Sequence, residues 1–130
     1  MIYIVDTHAW IEYFIGSADA NPFRNLLGGV NKKFITMECC LAELKGYCLR
    51  NGFSFEDMKN AIKKNSVLLP VLLNHWLDAA QIRYEMRKVR KGFGLIDSVL
   101  VAKQNELQCS IISGDPHFKG MKNVVYLGKK

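Results

Sequence analysis

Short apolar, β-branched runs alternate with helical stretches along the whole chain, and this alternation limits the fold more than any other feature. Ile2–Val5, Lys33–Thr36, Val67–Val71, Cys109–Ser113 and Val124–Leu127 read as strands. Asp6-Thr7 stands where it can cap a helix in which Trp10, Ile11, Phe14 and Ile15 recur at helical spacing until Gly16-Ser17. Asn21-Pro22 opens a second short helix that reaches Gly28-Gly29. A third is predicted from Thr36 to Asn51-Gly52, and a fourth starts at Ser54 with an imperfect capping box at Asp57. Leu72–Lys91 reads as one long amphipathic helix, broken by Gly92-Phe93-Gly94, and Leu95–Leu107 as another. Pro70 puts the third strand at an edge or at its own end. Gly128-Lys129-Lys130 is expected to fray.

The order is β-α-α-β-α-α-β-α-α-β-turn-β. Strands separated by helices imply a parallel sheet covered on both faces. The 130 residues suffice for one domain with a real core, and no repeat or linker divides them, so residues 1–130 are expected to form a single domain. At 49% hydrophobic residues, wholesale disorder is excluded. The 18 Lys and Arg against 12 Asp and Glu leave a charge of +6, which favours a polyanionic partner. Met1–Asp6 has no basic leader, and the longest apolar run, Val67–Leu73, is too short for a bilayer, so no membrane partner and a cytoplasmic location are expected. Cys39, Cys40, Cys48 and Cys109 form no CxxC pattern and read as small core hydrophobes rather than zinc ligands.

In a parallel sheet, ligands bind beyond the carboxyl ends of the strands. That rule selects acids. Asp6 directly follows the first strand, and Asp115 lies just after the fourth. Asp97 and Glu43 each interrupt an apolar helical stretch, where a lone buried carboxylate is costly. Each has a local alternative: a cap for Asp6, a turn for Asp115, a helix-dipole acid for Asp97, an edge position for Glu43. None of these explains why two acids follow strands while two interrupt apolar helices. Four carboxylates brought together repel and raise one another's pKa, and a hard divalent cation, Mg2+ or Mn2+, removes the conflict. Glu38 competes with Glu43, but five residues turn it about 140° away. Glu12 falls opposite Trp10 and Phe14, on the surface side of its helix.

Four segments carry a resemblance to a known family: Ile4-Val5-Asp6-Thr7 with Trp10-Ile11, Leu41-Ala42-Glu43-Leu44, Leu95-Ile96-Asp97-Ser98-Val99-Leu100-Val101-Ala102, and Ile111-Ile112-Ser113-Gly114-Asp115-Pro116-His117-Phe118. In order and spacing, over almost the whole chain, the sequence resembles a PIN domain and is similar to the small VapC-like toxins of prokaryotic toxin–antitoxin pairs. The resemblance implies a three-layer α/β/α sandwich on a twisted, mainly parallel sheet of four to five strands. It implies a metal-dependent endoribonuclease that cleaves single-stranded or structured RNA with metal-activated water. Asp6, Glu43 and Asp97 would be metal ligands and Asp115 the fourth acid, often acting through water. Thr7 and Ser113 match hydroxyl positions that hydrogen-bond in the acidic pocket, the family more often having threonine where this chain has Ser113. A cognate antitoxin covering the site is also implied.

Arg83, Arg87, Arg90 and Lys91 form a basic stripe leading into the loop before Asp97, either to hold RNA phosphates or as a solvated helix face. His8, His75 and His117 are scattered and are expected in structural or surface roles. The helical aromatics offer a partner surface, and a homodimer or higher homo-oligomer is expected. The competing class is a non-catalytic or RNA-processing RNA-binding module on the same fold. A haloacid-dehalogenase-like phosphatase would want a second acid two residues after Asp6, where this chain has His8.

Overall fold

A computed structural model describes residues 1–128. The elements are β1 (Ile2–Val5), α1 (Thr7–Phe14), a 3-10 turn (Ala18–Ala20), α2 (Asn21–Leu27), β2 (Lys33–Met37), α3 (Glu38–Asn51), α4 (Phe55–Asn65), β3 (Val67–Leu69), α5 (Leu73–Met86), α6 (Leu95–Leu107), β4 (Ser110–Ser113), a 3-10 turn (Pro116–Phe118) and β5 (Val124–Tyr126). All five strands are parallel, in the order β3-β2-β1-β4-β5.

The strand period of two divides the core between the faces of the sheet. Tyr3 and Val5 point to one side, where Trp10, Phe23, Leu44, Met58 and Ile62 of α1 to α4 pack. Ile4 points to the other, against Val99 and Leu100 of α6, Ala79 of α5, Phe93 and Phe118. The result is a three-layer α/β/α sandwich. Leu100 is fully buried, so Leu100→Ala is expected to lower the unfolding free energy by about 2–5 kcal/mol in urea titration. Among the described residues no helix is long and apolar enough to cross a membrane.

The chain leaves β1 toward β2 and β3, then returns to place β4 on the other side of β1. The order reverses between β1 and β4, and a crevice opens beyond their carboxyl ends.

Several elements begin or end away from their expected boundaries. The helix expected over Leu72–Lys91 ends at Met86. There the backbone tightens to Lys88 N to Glu85 O and Val89 N to Met86 O bonds, then leaves the helix path so that Phe93 becomes fully buried. Gly92, at φ +83°, makes the turn that an L side chain would resist. β3 stops at Leu69 because Pro70 has no N–H to give, and it is an edge strand. The N–H of Val71 goes instead to Glu38 Oε1 at 2.8 Å. β2 runs on to Met37, so α3 starts at Glu38 rather than Thr36. Thr36 is buried in the strand, where its Oγ1 accepts from Trp10 Nε1 at 3.0 Å. The turn at Ala18–Ala20, capped by Ser17 Oγ, was not expected. The fraying expected at Lys129-Lys130 lies outside the described residues.

Candidate metal centre

Asp6 ends β1 and caps α1. Its Oδ1 accepts from the Thr7 N–H at 2.8 Å, and its Oδ2 accepts from Ser113 Oγ at 2.7 Å. Only 3% of the residue is exposed. Burial pushes the carboxyl up to about 7; the Ser113 hydrogen bond opposes this, and the charges of Asp97, Glu43 and Asp115 add to it. No cation pairs with it among the described residues.

Glu43 reaches the same pocket from α3, an exposed residue whose Oε1 accepts from Thr7 Oγ1 at 2.6 Å. Burial of its carboxyl also pushes it up, against the Thr7 bond and with the charges of Asp97 and Asp115. Thr7 therefore serves two acids: its N–H holds Asp6 and its hydroxyl holds Glu43. Ser113 does the same on the β4 side, giving its hydroxyl to Asp6 and accepting the Asp115 N–H at 3.0 Å.

Asp97 sits in the first turn of α6, where its Oδ2 accepts from Gly94 N at 3.1 Å and lies 3.0 Å from His117 Nδ1. Asp115 caps the second 3-10 turn, its Oδ1 accepting the His117 N–H at 2.9 Å. The four acids thus converge on one open pocket of about 200 Å³. Around it the donors fall into two groups, each with its atoms within 4.8 Å of one another: Asp6, Cys40 and Glu43; and Asp97, Asp115 and His117. The Cys40 thiol is pushed well up, first by its hydrogen bond to Cys39 and then by burial, and its sulfur is a soft donor beside hard carboxylate oxygens. The carboxylate oxygens are hard donors and fit Mg2+ or Mn2+. With Asp6 buried and all four mutually repelling, they form a donor set that a dication would complete.

The structure separates Glu43 from Glu38, which is turned away onto Val71. The basic residues divide as well. Arg87 Nε donates to Phe93 O at 2.8 Å, and Arg90 Nη1 donates to His117 O at 3.2 Å and Lys119 O at 2.8 Å. These guanidiniums clasp the loops beneath the site. Arg83 lies on α5, half-buried, and Lys91 is exposed in the turn after it. None of the four lines the pocket; Arg50 does, together with Tyr47 and His8. Tyr47 and Arg50 follow Glu43 by four and seven residues, so the face of α3 that carries Glu43 also carries them. That spacing was the signal available for finding them.

His8 and His117 are at the site rather than in the structural or surface roles expected. His8 Nδ1 is buried without a partner on the pocket wall. His75 does have a structural role. It is buried, accepting from Leu72 N at 3.0 Å through Nδ1 and lying 3.1 Å from Glu106 Oε1 through Nε2.

No family model and no curated protein matches the chain. Solved structures do. A toxin–antitoxin complex from Klebsiella pneumoniae aligns with TM-score 0.68 and 16% identity over 98% of this chain and 99% of that one. VapBC2 from Rickettsia felis, bound to a DNA fragment from its promoter, aligns with TM-score 0.73 and 14% identity over the full length of both chains. Mycobacterium tuberculosis VapC20, a sarcin–ricin loop cleaving toxin, aligns with TM-score 0.74 and 16% identity over 94% and 96%. At this identity the likeness establishes the architecture: the chain has the PIN-like α/β/α fold of VapC toxins.

Proposed function

We propose that this protein is a metal-dependent endoribonuclease and the toxin of a toxin–antitoxin pair. The observation that carries the reading is four carboxylates around one pocket at the reversal point of the sheet, with Asp6 buried and, among the described residues, paired with no cation. A binding module would gain nothing from such repulsion. Asp6, Glu43, Asp97 and Asp115 would hold Mg2+ or Mn2+, which supplies a Lewis acid and an activated water for phosphodiester hydrolysis.

The chain's own groups prepare that reaction. Thr7 and Ser113 fix the carboxylate oxygens so that they need not reorganise. Arg50, on the pocket wall, would hold a phosphate bidentately, and Tyr47 beside it would offer a ring for a base to stack on. The net charge of +6 draws RNA to a pocket that is itself acidic. The toxin–antitoxin neighbours support an antitoxin partner. Leu73, Leu77 and Tyr84, each more than 60% exposed on α5, support contact with another protein chain, and a homo-oligomer remains the expected state.

The test is cleavage of a structured RNA by purified protein with Mg2+, with Mn2+ and with chelator, beside Asp97→Asn. Cleavage is expected only with metal and should fall by at least about 100-fold in the variant. Equal cleavage in chelator, or by the variant, would overturn the reading. RNA retained without cleavage in every metal would favour the binding module instead.

A further inference from the structure

We propose that His117 is a nitrogen ligand of the metal, making the Asp97 side of the pocket a mixed oxygen–nitrogen subsite that prefers Mn2+ to Mg2+. The inference rests on the metal-binding reading of the four acids and adds to it a donor of a different kind.

His117 Nδ1 lies 3.0 Å from Asp97 Oδ2 and 3.5 Å from Asp115 Oδ1. Adjacent donors around one ion, with bonds of about 2.1 Å, stand about 3.0–3.5 Å apart. The imidazole nitrogen therefore already has the spacing of a third ligand beside the two carboxylate oxygens. Among the described residues, the third donor grouped with Asp6 and Glu43 is the sulfur of Cys40.

The imidazole is also held in place. The His117 N–H binds Asp115 Oδ1, and its carbonyl accepts from Arg90 Nη1. Its ring packs 6.1 Å from the buried Phe93 ring, centroid to centroid. Phe118, the next residue, is fully buried and anchors the turn. Asp97 is fixed from its own side by the Gly94 N–H. Each donor in this half of the site thus has a supporting contact, the arrangement by which proteins orient metal ligands. It also gives Arg90, and Arg87 through Phe93 O, a reason to clasp these loops.

Chemistry sets the selectivity. Mg2+ takes oxygen donors and dehydrates reluctantly, whereas Mn2+ accepts imidazole more readily. An all-carboxylate pocket would leave the choice to availability. A nitrogen beside Asp97 shifts it toward Mn2+.

Pulsed EPR of the full chain and of His117→Gln, each loaded with one equivalent of Mn2+, unlabelled and with 15N-histidine, tests the proposal. The expected result is a nitrogen hyperfine coupling that changes with the isotope in wild type and is lost in the variant. Calorimetric titration of wild type, His117→Ala and His117→Gln with Mn2+ and with Mg2+ provides a second reading. Mn2+ affinity should fall by about 10-fold or more in both variants, and Mg2+ affinity by much less. Bound Mn2+ with no nitrogen coupling, or variants that bind Mn2+ like wild type, would overturn the proposal while leaving the four-acid site intact. Wild type that binds no Mn2+ at all would overturn the metal-binding reading with it.

Discussion

Replacing Asp6 by asparagine is expected to abolish phosphodiester cleavage and, at the same time, to stabilise the metal-free protein above neutral pH. Asp6 is buried beside three other acids, and its carboxyl is pushed up to about 7 from an ordinary 3.8. In the folded protein it keeps its proton to about pH 7, whereas the unfolded chain loses that proton near pH 3.8. Folding stability from this group is therefore fully present below pH 3.8 and is lost as pH rises to about 7. Each unit of difference corresponds to about 1.4 kcal/mol, so the loss has a ceiling on the order of 4 kcal/mol. Asparagine is close in shape, can still accept from the Thr7 N–H and carries no charge. Its amide can donate to Ser113 Oγ where the carboxylate accepted from it. Thermal melts in chelator at pH 8 should place the variant about 4–12 °C above wild type, with the gap closing toward pH 4. Cleavage should drop by at least about 100-fold. A variant that melts lower than wild type at pH 8 would show that Asp6 is favourably held as an anion without any metal.

The second large effect is stabilisation by the ion itself. Metal-free, the pocket holds four acids whose repulsion opposes folding; bound metal reverses the sign of that contribution. A ligand at 100 times its Kd stabilises the native state by about 2.7 kcal/mol, and for a domain of this size that is roughly 10 °C in Tm. Mn2+ at pH 7.5 should raise the wild-type Tm by about this amount. Asp97→Asn should lose most of the rise, because Asp97 is the acid that His117 and the Gly94 N–H position at the pocket. Glu38→Gln should keep all of it, since Glu38 faces Val71. An equal rise in all three proteins would place the ion elsewhere.

The architecture is legible in local residue patterns. Ile2–Val5 and Leu95–Leu107 have the bounds that their apolar patterns predict, and the β-α alternation yielded an all-parallel sheet. Asp6 and Asp115 could be found because they follow strands that end at one rim, and Glu43 could be separated from Glu38 because helix period alone turns them apart. Other features depend on contacts between distant residues. The end of α5 at Met86 is set by the burial of Phe93, and nothing in the heptad before it announces that stop. Arg87 and Arg90 read as part of a basic stripe because the carbonyls they bind, at Phe93, His117 and Lys119, belong to loops that only the folded chain brings near. His117 was legible only as a neighbour of Asp115; its meeting with Asp97, twenty residues away, comes from the packing of α6 beside β4.

The most direct measurement is anomalous diffraction from a crystal soaked in Mn2+. The expected result is a peak inside the pocket, in bonding distance of carboxylate oxygens from Asp6, Glu43 or Asp97, with Asp115 direct or one water away. No peak there at saturating Mn2+, or a peak only on the outer surface, would contradict the metal centre and with it the proposed nuclease.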